Sequence, residues 1–297
     1  MNPNEVDIVV YHYPCPDGLA SAWVASKYAS IHNLEYKYVG IMTNNSPLFT
    51  PELTELMKGK TVLFVDYAPT KGQYQIAKEL TKNIYILDHH KTNEAEYSGK
   101  ANTVFDMNKS GVGLAWSFFF PTKVMPIHLL MIQERDLWKW NTEFAKEFTN
   151  GLYFCAGEEL DRYSAIMNEI YDNPSKVQHY INIGIVVEDH KQRKIQKIVK
   201  ENGNNVYMYK GFKCGIVSCD YDLASDLGSA MMDTNNFDFV VLWRYDQLKE
   251  MYILSLRSSN KSNFDVSKLA KTLNGGGHEF SAGGSLKEHP SVYFSSD

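Results

Sequence analysis

Residues 83–90 read NIYILDHH, an apolar run that stops abruptly in an acid and two histidines. Ile84, Tyr85, Ile86 and Leu87 leave neither face polar, and the run is too short for a typical helix. Such a segment suits a strand buried between two helical layers, the setting of a parallel sheet. Two earlier stretches share the pattern: residues 7–13 (DIVVYHY) and residues 61–67 (TVLFVDY). Helical patterns separate the three, near residues 17–30 and 71–81. The alternation predicts an α/β fold built on a doubly wound, mainly parallel sheet with right-handed crossovers.

In such a sheet ligands collect at the carboxyl ends of the strands. Each predicted strand delivers polar residues there. The first leads into His12 and then Cys15-Pro16-Asp17-Gly18, the second ends in Asp66, and the third in Asp88, His89 and His90. A single aspartate after a strand is more often a cap or a turn residue. Three strands ending alike point instead to one shared crevice. Carboxylates gathered in a crevice raise one another's pKa unless a cation sits among them, and oxygen and imidazole donors suit Mn²⁺ or Mg²⁺. A fourth acid, Asp136, ends a predicted helical hairpin made of residues 110–120, opened by a Ser110 cap, and residues 127–133. Alone it reads more often as a helix-end charge than as a ligand.

Residues 173–200 are polar and charged, with Val177, Ile181, Ile185 and Val187 at mixed helical spacing, and predict a helix that leads into a linker near Gly203. Strand patterns then restart. A hairpin of residues 206–209 and 213–218 is followed by a helix at 223–232, strands at 238–244 and 251–257, and a helix at 266–273. The expected division is residues 1–185, a helical linker 186–204, and a smaller α/β domain 205–297, with a cleft between the domains. Arg257 ends one of these strands, and Gly275, Gly276 and Gly277 precede His278. The glycine run reads either as a flexible loop with a helix C-cap or as a backbone nest for phosphate oxygens.

A hydrophobic share of 44% and a charged share of 22% are those of a globular protein with a real core. The net charge of -5 argues against long duplex nucleic acid as partner, which rewards a basic face, but leaves room for a short phosphorylated ligand. Cys15, Cys155, Cys214 and Cys219 form no C-x-x-C pair, so no structural zinc or thioredoxin-like site is signalled. With no secretory pattern, a soluble, cytoplasmic protein is expected. Residues 111–132, the most apolar stretch, are interrupted by Pro121, Lys123, Pro126 and His128, and no membrane span is expected. The oligomeric state is open, a homodimer among the options.

Taken in order, His12, Asp17-Gly18, Asp66, Asp88-His89-His90 and Asp136 resemble the motifs of the DHH phosphoesterase family, with its RecJ-like and nano-RNase-like members. Gly275-Gly276-Gly277-His278 together with Arg257 resembles the nucleotide-binding domain that accompanies that family. The resemblance spans residues 8–286. It implies a hydrolase that cleaves phosphodiester or phosphomonoester bonds of short oligonucleotides or small nucleotides with a metal-activated water. One or two Mn²⁺ or Mg²⁺ ions are implied. His12 would bind one metal, Asp66 would bridge two, and Asp17, His89 and Asp136 would complete the other site. His90 would contact the scissile phosphate, Asp88 would orient the histidines, and His278, Arg257 and the glycines would hold the far end of the nucleotide. Many members carry Asp-x-Asp in the first motif, and here Cys15 stands where the first aspartate is found. A thiol is a poor partner for hard Mn²⁺ or Mg²⁺. Two alternatives accompany this reading: an exopolyphosphatase-like phosphatase, and a protein that binds a nucleotide without hydrolysing it.

Overall fold

The computed structural model describes residues 1–42, 49–203 and 205–295. Asn204, the last residue of the expected linker, and residues 296 and 297 of the expected second domain lie outside the described residues. The chain forms two compact units, Met1–Glu188 and Asp189–Asp297.

The first unit is built on a five-stranded, wholly parallel sheet: β1 (Ile8–His12), β2 (Lys37–Ile41), β3 (Thr61–Val65), β4 (Asn83–Asp88) and β5 (Thr103–Phe105), in the order β2-β1-β3-β4-β5. Its helices are α1 (Pro16–His32), α2 (Pro51–Met57), α3 (Lys71–Leu80), α4 (Lys91–Tyr97), α5 (Gly111–Phe119), α6 (Ile127–Asp136), α7 (Ala145–Ala156), α8 (Leu160–Asp172) and the first part of α9 (Val177–Asn202). Alternate strand residues feed opposite layers, as the pleat requires. Val9, Leu63, Val65 and Leu87 pack with Trp23 of α1 and with residues of α5 to α8. Val10, Phe64 and Ile86 pack with Leu53, Met57, Ala77 and Tyr97 of α2, α3 and α4. The sheet is therefore covered on both faces, which is why β1, β3 and β4 are legible as unbroken apolar runs. The edge strands β2 (KYVGI) and β5 (TVF) are half exposed and carry no such run; sequence pattern alone did not identify them. The boundary between the units falls inside α9, which continues unbroken to Asn202.

From β1 the chain moves to one side to form β2, then crosses to the other side for β3. That reversal makes a switch point between the carboxyl ends of β1 and β3, where this class of sheet binds its ligands. His12 and Asp66 stand at those two ends.

His128, in α6, is 2% exposed and packs edge-on against Trp23 and Tyr171, at 6.0 and 6.5 Å between ring centroids. Its Nε2 makes no hydrogen bond among the described residues. Burial lowers its pKa from 6.5 to about 4. The unfolded chain therefore takes up this proton first, and stability present above about pH 6.5 is lost as pH falls toward 4, by about 3 kcal/mol. His128→Phe keeps a ring in place without the titrating group. The difference in unfolding free energy between variant and wild type, measured in urea at pH 7.5 and at pH 4.5, is expected to shift in favour of the variant at the lower pH. An unchanged difference would mean that His128 is not held neutral.

The second unit carries a mixed six-stranded sheet of β6 (Val206–Tyr209), β7 (Phe212–Ser218), β8 (Phe239–Asp246), β9 (Met251–Arg257), β10 (Gly276–Gly277) and β11 (Ser281–Leu286), in the order β10-β11-β9-β8-β7-β6. All pairs are antiparallel except β7 with β8. α10 (Ala224–Asn235) covers one face through Leu227 and Met231. α11 (Val266–Thr272) and the region of α12 (Pro290–Tyr293) cover the other through Val266, Leu269 and Phe294.

The glycine run closes the end of α11, where the Gly275 N–H donates to the Ala270 carbonyl at 2.9 Å, and then continues as a strand and not as a loop. Gly276 and Gly277 pair with Gly283 and Ala282 in the sheet. A Cβ on Gly275 would sit 1.8 Å from the Gly283 carbonyl oxygen, and Gly277 has φ +137°. Backbone packing at the sheet edge thus requires Gly275 and Gly277, and a two-residue strand without side chains leaves no periodic signal. No helix among the described residues is long and apolar enough to cross a membrane.

Candidate metal centre

Asp17 lies in the first turn of α1 and is 1% exposed. Its Oδ1 accepts hydrogen bonds from the Ser110 hydroxyl at 2.6 Å and the Val112 backbone N–H at 3.2 Å. Ser110 does occupy the N-cap position of α5, but its hydroxyl caps nothing in its own helix; it serves Asp17 instead. Asp17 Oδ2 is buried and has no hydrogen-bond partner among the described residues.

Asp66 directly follows β3 with φ +54°, a left-handed conformation that aspartate and asparagine tolerate better than most residues. Its N–H donates to the Leu87 carbonyl at 2.9 Å, which ties it to β4. The two carboxylate oxygens then face different partners. Oδ1 lies 3.1 Å from His89 Nε2, and Oδ2 lies 3.4 Å from His12 Nδ1. His89 Nε2 is also 3.5 Å from Asp136 Oδ2, at the end of α6. One ligand atom each from Asp17, His89 and Asp136 lies within 4.8 Å of the other two, and the same holds for His12, Cys15 and Asp66.

Asp88 is fully buried and accepts hydrogen bonds from His90 Nδ1 at 2.7 Å, the His90 backbone N–H at 3.4 Å and Asn93 Nδ2 at 2.8 Å. It therefore fixes the ring of His90, which stands edge-on to His12 at 5.7 Å. Two glycines permit this crowding. A Cβ on Gly18 would lie 1.9 Å from the His12 carbonyl oxygen, and one on Gly111 would lie 2.3 Å from Asp66 Cβ and 2.8 Å from Asp17 Oδ2.

The electrostatics are those of anions packed too closely for water to separate. Burial, then Asp66 and Asp136, push the Asp17 carboxyl well above its usual range. Burial also raises Asp136, with Asp66 adding to the effect and His89 opposing it. Burial acts to raise Asp66 too, but His12 and His89 outweigh it and hold that carboxylate low. Burial opposes a charge on His89, yet Asp136, Asp66 and Asp17 push it up to about 10. Burial and the neighbouring carboxylates of Asp66, Asp136 and Asp17 raise the Cys15 thiol. Three carboxylates thus compete for the positive charge of one imidazole, the condition that a cation relieves.

No protein-family model matches the sequence. The uncharacterized protein R106 of Acanthamoeba polyphaga mimivirus is 29% identical over 296 residues, covering 95% of this chain and 68% of that protein. Among solved structures, exonuclease RecJ bound to manganese matches with a TM-score of 0.53 at 14% identity, over 98% of this chain and 88% of RecJ. An exopolyphosphatase-related protein from Bacteroides fragilis matches with a TM-score of 0.52 at 15% identity, over 98% and 90% of the two chains. The chain shares their fold.

The donor set fits a divalent cation on this chain's own geometry. Asp17 Oδ2 is a buried anionic oxygen without a donor among the described residues, His89 and Asp136 bring ligand atoms to within 4.8 Å of one on Asp17, and Asp66 adds an oxygen 3.1 Å from His89, a set suited to hard or borderline ions. The structure brings Asp17, Asp66, His89 and Asp136 together, and places His12 against the other Asp66 oxygen, with Cys15 within 4.8 Å of both residues' ligand atoms. From sequence Ser110 is a helix cap, and Gly111, Val112 and Asn93 carry no assigned role at the site. The text SGVG at residues 110–113 was a usable signal, because a helix that opens with two glycines invites close approach to its start.

In the second unit, Arg257 Nη2 donates to Ser225 Oγ at 3.0 Å and Nη1 to the Leu256 carbonyl at 2.9 Å. Arg257 pairs with Ser281 across β9 and β11, and Ser281 exchanges backbone hydrogen bonds with His278 at 2.7 and 3.3 Å. The two predicted ligand-binding residues therefore share one end of that sheet.

Proposed function

We propose that this protein is a metal-dependent phosphoesterase of the DHH type that hydrolyses short oligonucleotides or small nucleotides. The observation that carries the reading is Asp66, whose two oxygens face His89 on one side and His12 on the other at 3.1 and 3.4 Å. Asp17, Asp66, His89 and Asp136 would hold the first ion, Mn²⁺ or Mg²⁺ by the chemistry of an oxygen-rich set. Such an ion supplies positive charge to the phosphoryl group and brings a water close to neutral acidity.

The remaining roles belong to the chain itself. His90 contacts the scissile phosphate, and Asp88 holds its ring in place through the 2.7 Å hydrogen bond. Ser110 and the N–H of Val112 fix Asp17 so that its other oxygen stays turned to the ion. Arg257 and the segment from Gly275 to His278 bind the nucleotide. The net charge of -5 accords with a small substrate and not with long duplex nucleic acid.

The likeness to an exopolyphosphatase-related protein supports a second reading, hydrolysis of polyphosphate. The full-length chain, supplied with Mn²⁺, separates the two on a panel of dinucleotides, cyclic dinucleotides, 3′-phosphoadenosine phosphate and polyphosphate. Product from one of the nucleotides, with polyphosphate intact, is the expected outcome. Cleavage of polyphosphate alone would favour the second reading. Tight binding of a nucleotide without product from any substrate would replace the enzyme with a sequestering protein.

A further inference from the structure

We infer that Cys15 is a metal ligand. With His12 and Asp66 it forms a second, thiolate-containing position that selects a borderline divalent cation such as Zn²⁺ over Mg²⁺. The inference rests on the metal centre proposed above, because Asp66 is shared between the two positions.

Three observations support it. Cys15 Sγ offers a ligand atom within 4.8 Å of those of His12 and Asp66. Asp66 Oδ2, buried on a residue 1% exposed, accepts no hydrogen bond among the described residues and points to this side, 3.4 Å from His12 Nδ1. The backbone of Cys15 is also fixed in place. It is bracketed by Pro14 and Pro16, sits at φ -66° and ψ 131°, and its carbonyl accepts the Leu19 N–H at 2.9 Å. A residue before proline is restricted to this extended region, so the Cys15 backbone is held where it stands. Cys15 stands at the N-cap position of α1 but makes no capping hydrogen bond, so helix capping does not account for its presence there.

Ligand chemistry then separates the two positions. Asp17, Asp66, His89 and Asp136 offer mostly oxygen, which Mg²⁺ and Mn²⁺ accept. A set of one imidazole, one thiolate and one carboxylate oxygen is disfavoured by Mg²⁺, a hard ion that demands oxygen, and suits Zn²⁺ or Co²⁺. The centre is thus built for two different metals, one on each side of Asp66.

The test is optical titration of the metal-free full-length chain with Co²⁺. A sulfur-to-cobalt charge-transfer band in the near ultraviolet is expected, alongside the visible bands of protein-bound cobalt. Cys15→Ser should lose the charge-transfer band and weaken binding at this position by about ten-fold or more, since loss of a direct ligand costs at least as much as loss of its supporting partner. Cys15→Asp should also lose the band while keeping both ions, and should accept Mn²⁺ at both. Visible cobalt bands without charge transfer in the wild type, or a charge-transfer band that survives Cys15→Ser, would overturn the role of Cys15 and leave the metal centre standing. No uptake of Co²⁺ at all would overturn both.

Discussion

Replacing Asp66 with asparagine is expected to lower phosphoester hydrolysis by roughly 10³-fold or more while leaving a folded protein. The size of the effect follows from position. Asp66 lies within ion-pair distance of both His89 and His12, so its loss weakens both ion positions at once. Asparagine is the informative substitution because it keeps the shape of the side chain and tolerates the left-handed backbone at φ +54°, which alanine does not. Asp17 and Asp136 still face His89 in the variant, so its charge keeps partners and the unit should still unfold cooperatively. Calorimetric titration with Mn²⁺ should show weakened binding, in step with the loss of turnover. Wild-type turnover by Asp66→Asn at saturating Mn²⁺ would rule out the mechanism.

The second large effect is expected at a residue with no functional group. Gly111→Ala places a methyl 2.3 Å from Asp66 Cβ and 2.8 Å from Asp17 Oδ2. Neither neighbour yields easily. Asp66 Cβ is attached to a backbone that is hydrogen-bonded to Leu87, and Asp17 is held by Ser110 and Val112. The overpacking should destabilise the fold by about 1–3 kcal/mol, and the displaced carboxylates should lower Mn²⁺ affinity by about 10–100-fold. Gly113→Ala is the comparison. There the close neighbour is Gln133 Oε1, at 1.9 Å, the end of a flexible side chain that can swing away at the cost of the 3.3 Å hydrogen bond it accepts from the Ser110 N–H. Urea unfolding and Mn²⁺ titration of both variants should show the metal defect in Gly111→Ala alone. Equal defects would mean that any bulk at the start of α5 disturbs the centre, and that the contact with Asp66 is not what matters.

The strand pattern alone shows where the residues of the candidate site gather. β1, β3 and β4 are buried on both faces, so their composition had to be continuously apolar, and the residue type changes where each strand emerges. Chain direction in a parallel sheet brings those three ends to one side, which places His12, Asp66 and Asp88 to His90 near one another. The edge strands β2 and β5 escaped because a half-exposed strand of three to five residues is not compelled to be apolar. The short strand β10 escaped because two glycines carry no side-chain pattern at all.

The sequence by itself determined the doubly wound sheet and the set of acids and histidines at its carboxyl edge, because burial on two faces and strand direction are local, periodic constraints. Tertiary structure alone decided that Asp66 turns one oxygen to His89 and the other to His12, and that Ser110 bonds Asp17 across 93 positions of chain. It also placed Cys15 Sγ beside them. Contacts of that kind depend on how α1 and α5 pack over the ends of β1 and β3, and no residue's immediate neighbours in sequence carry that information.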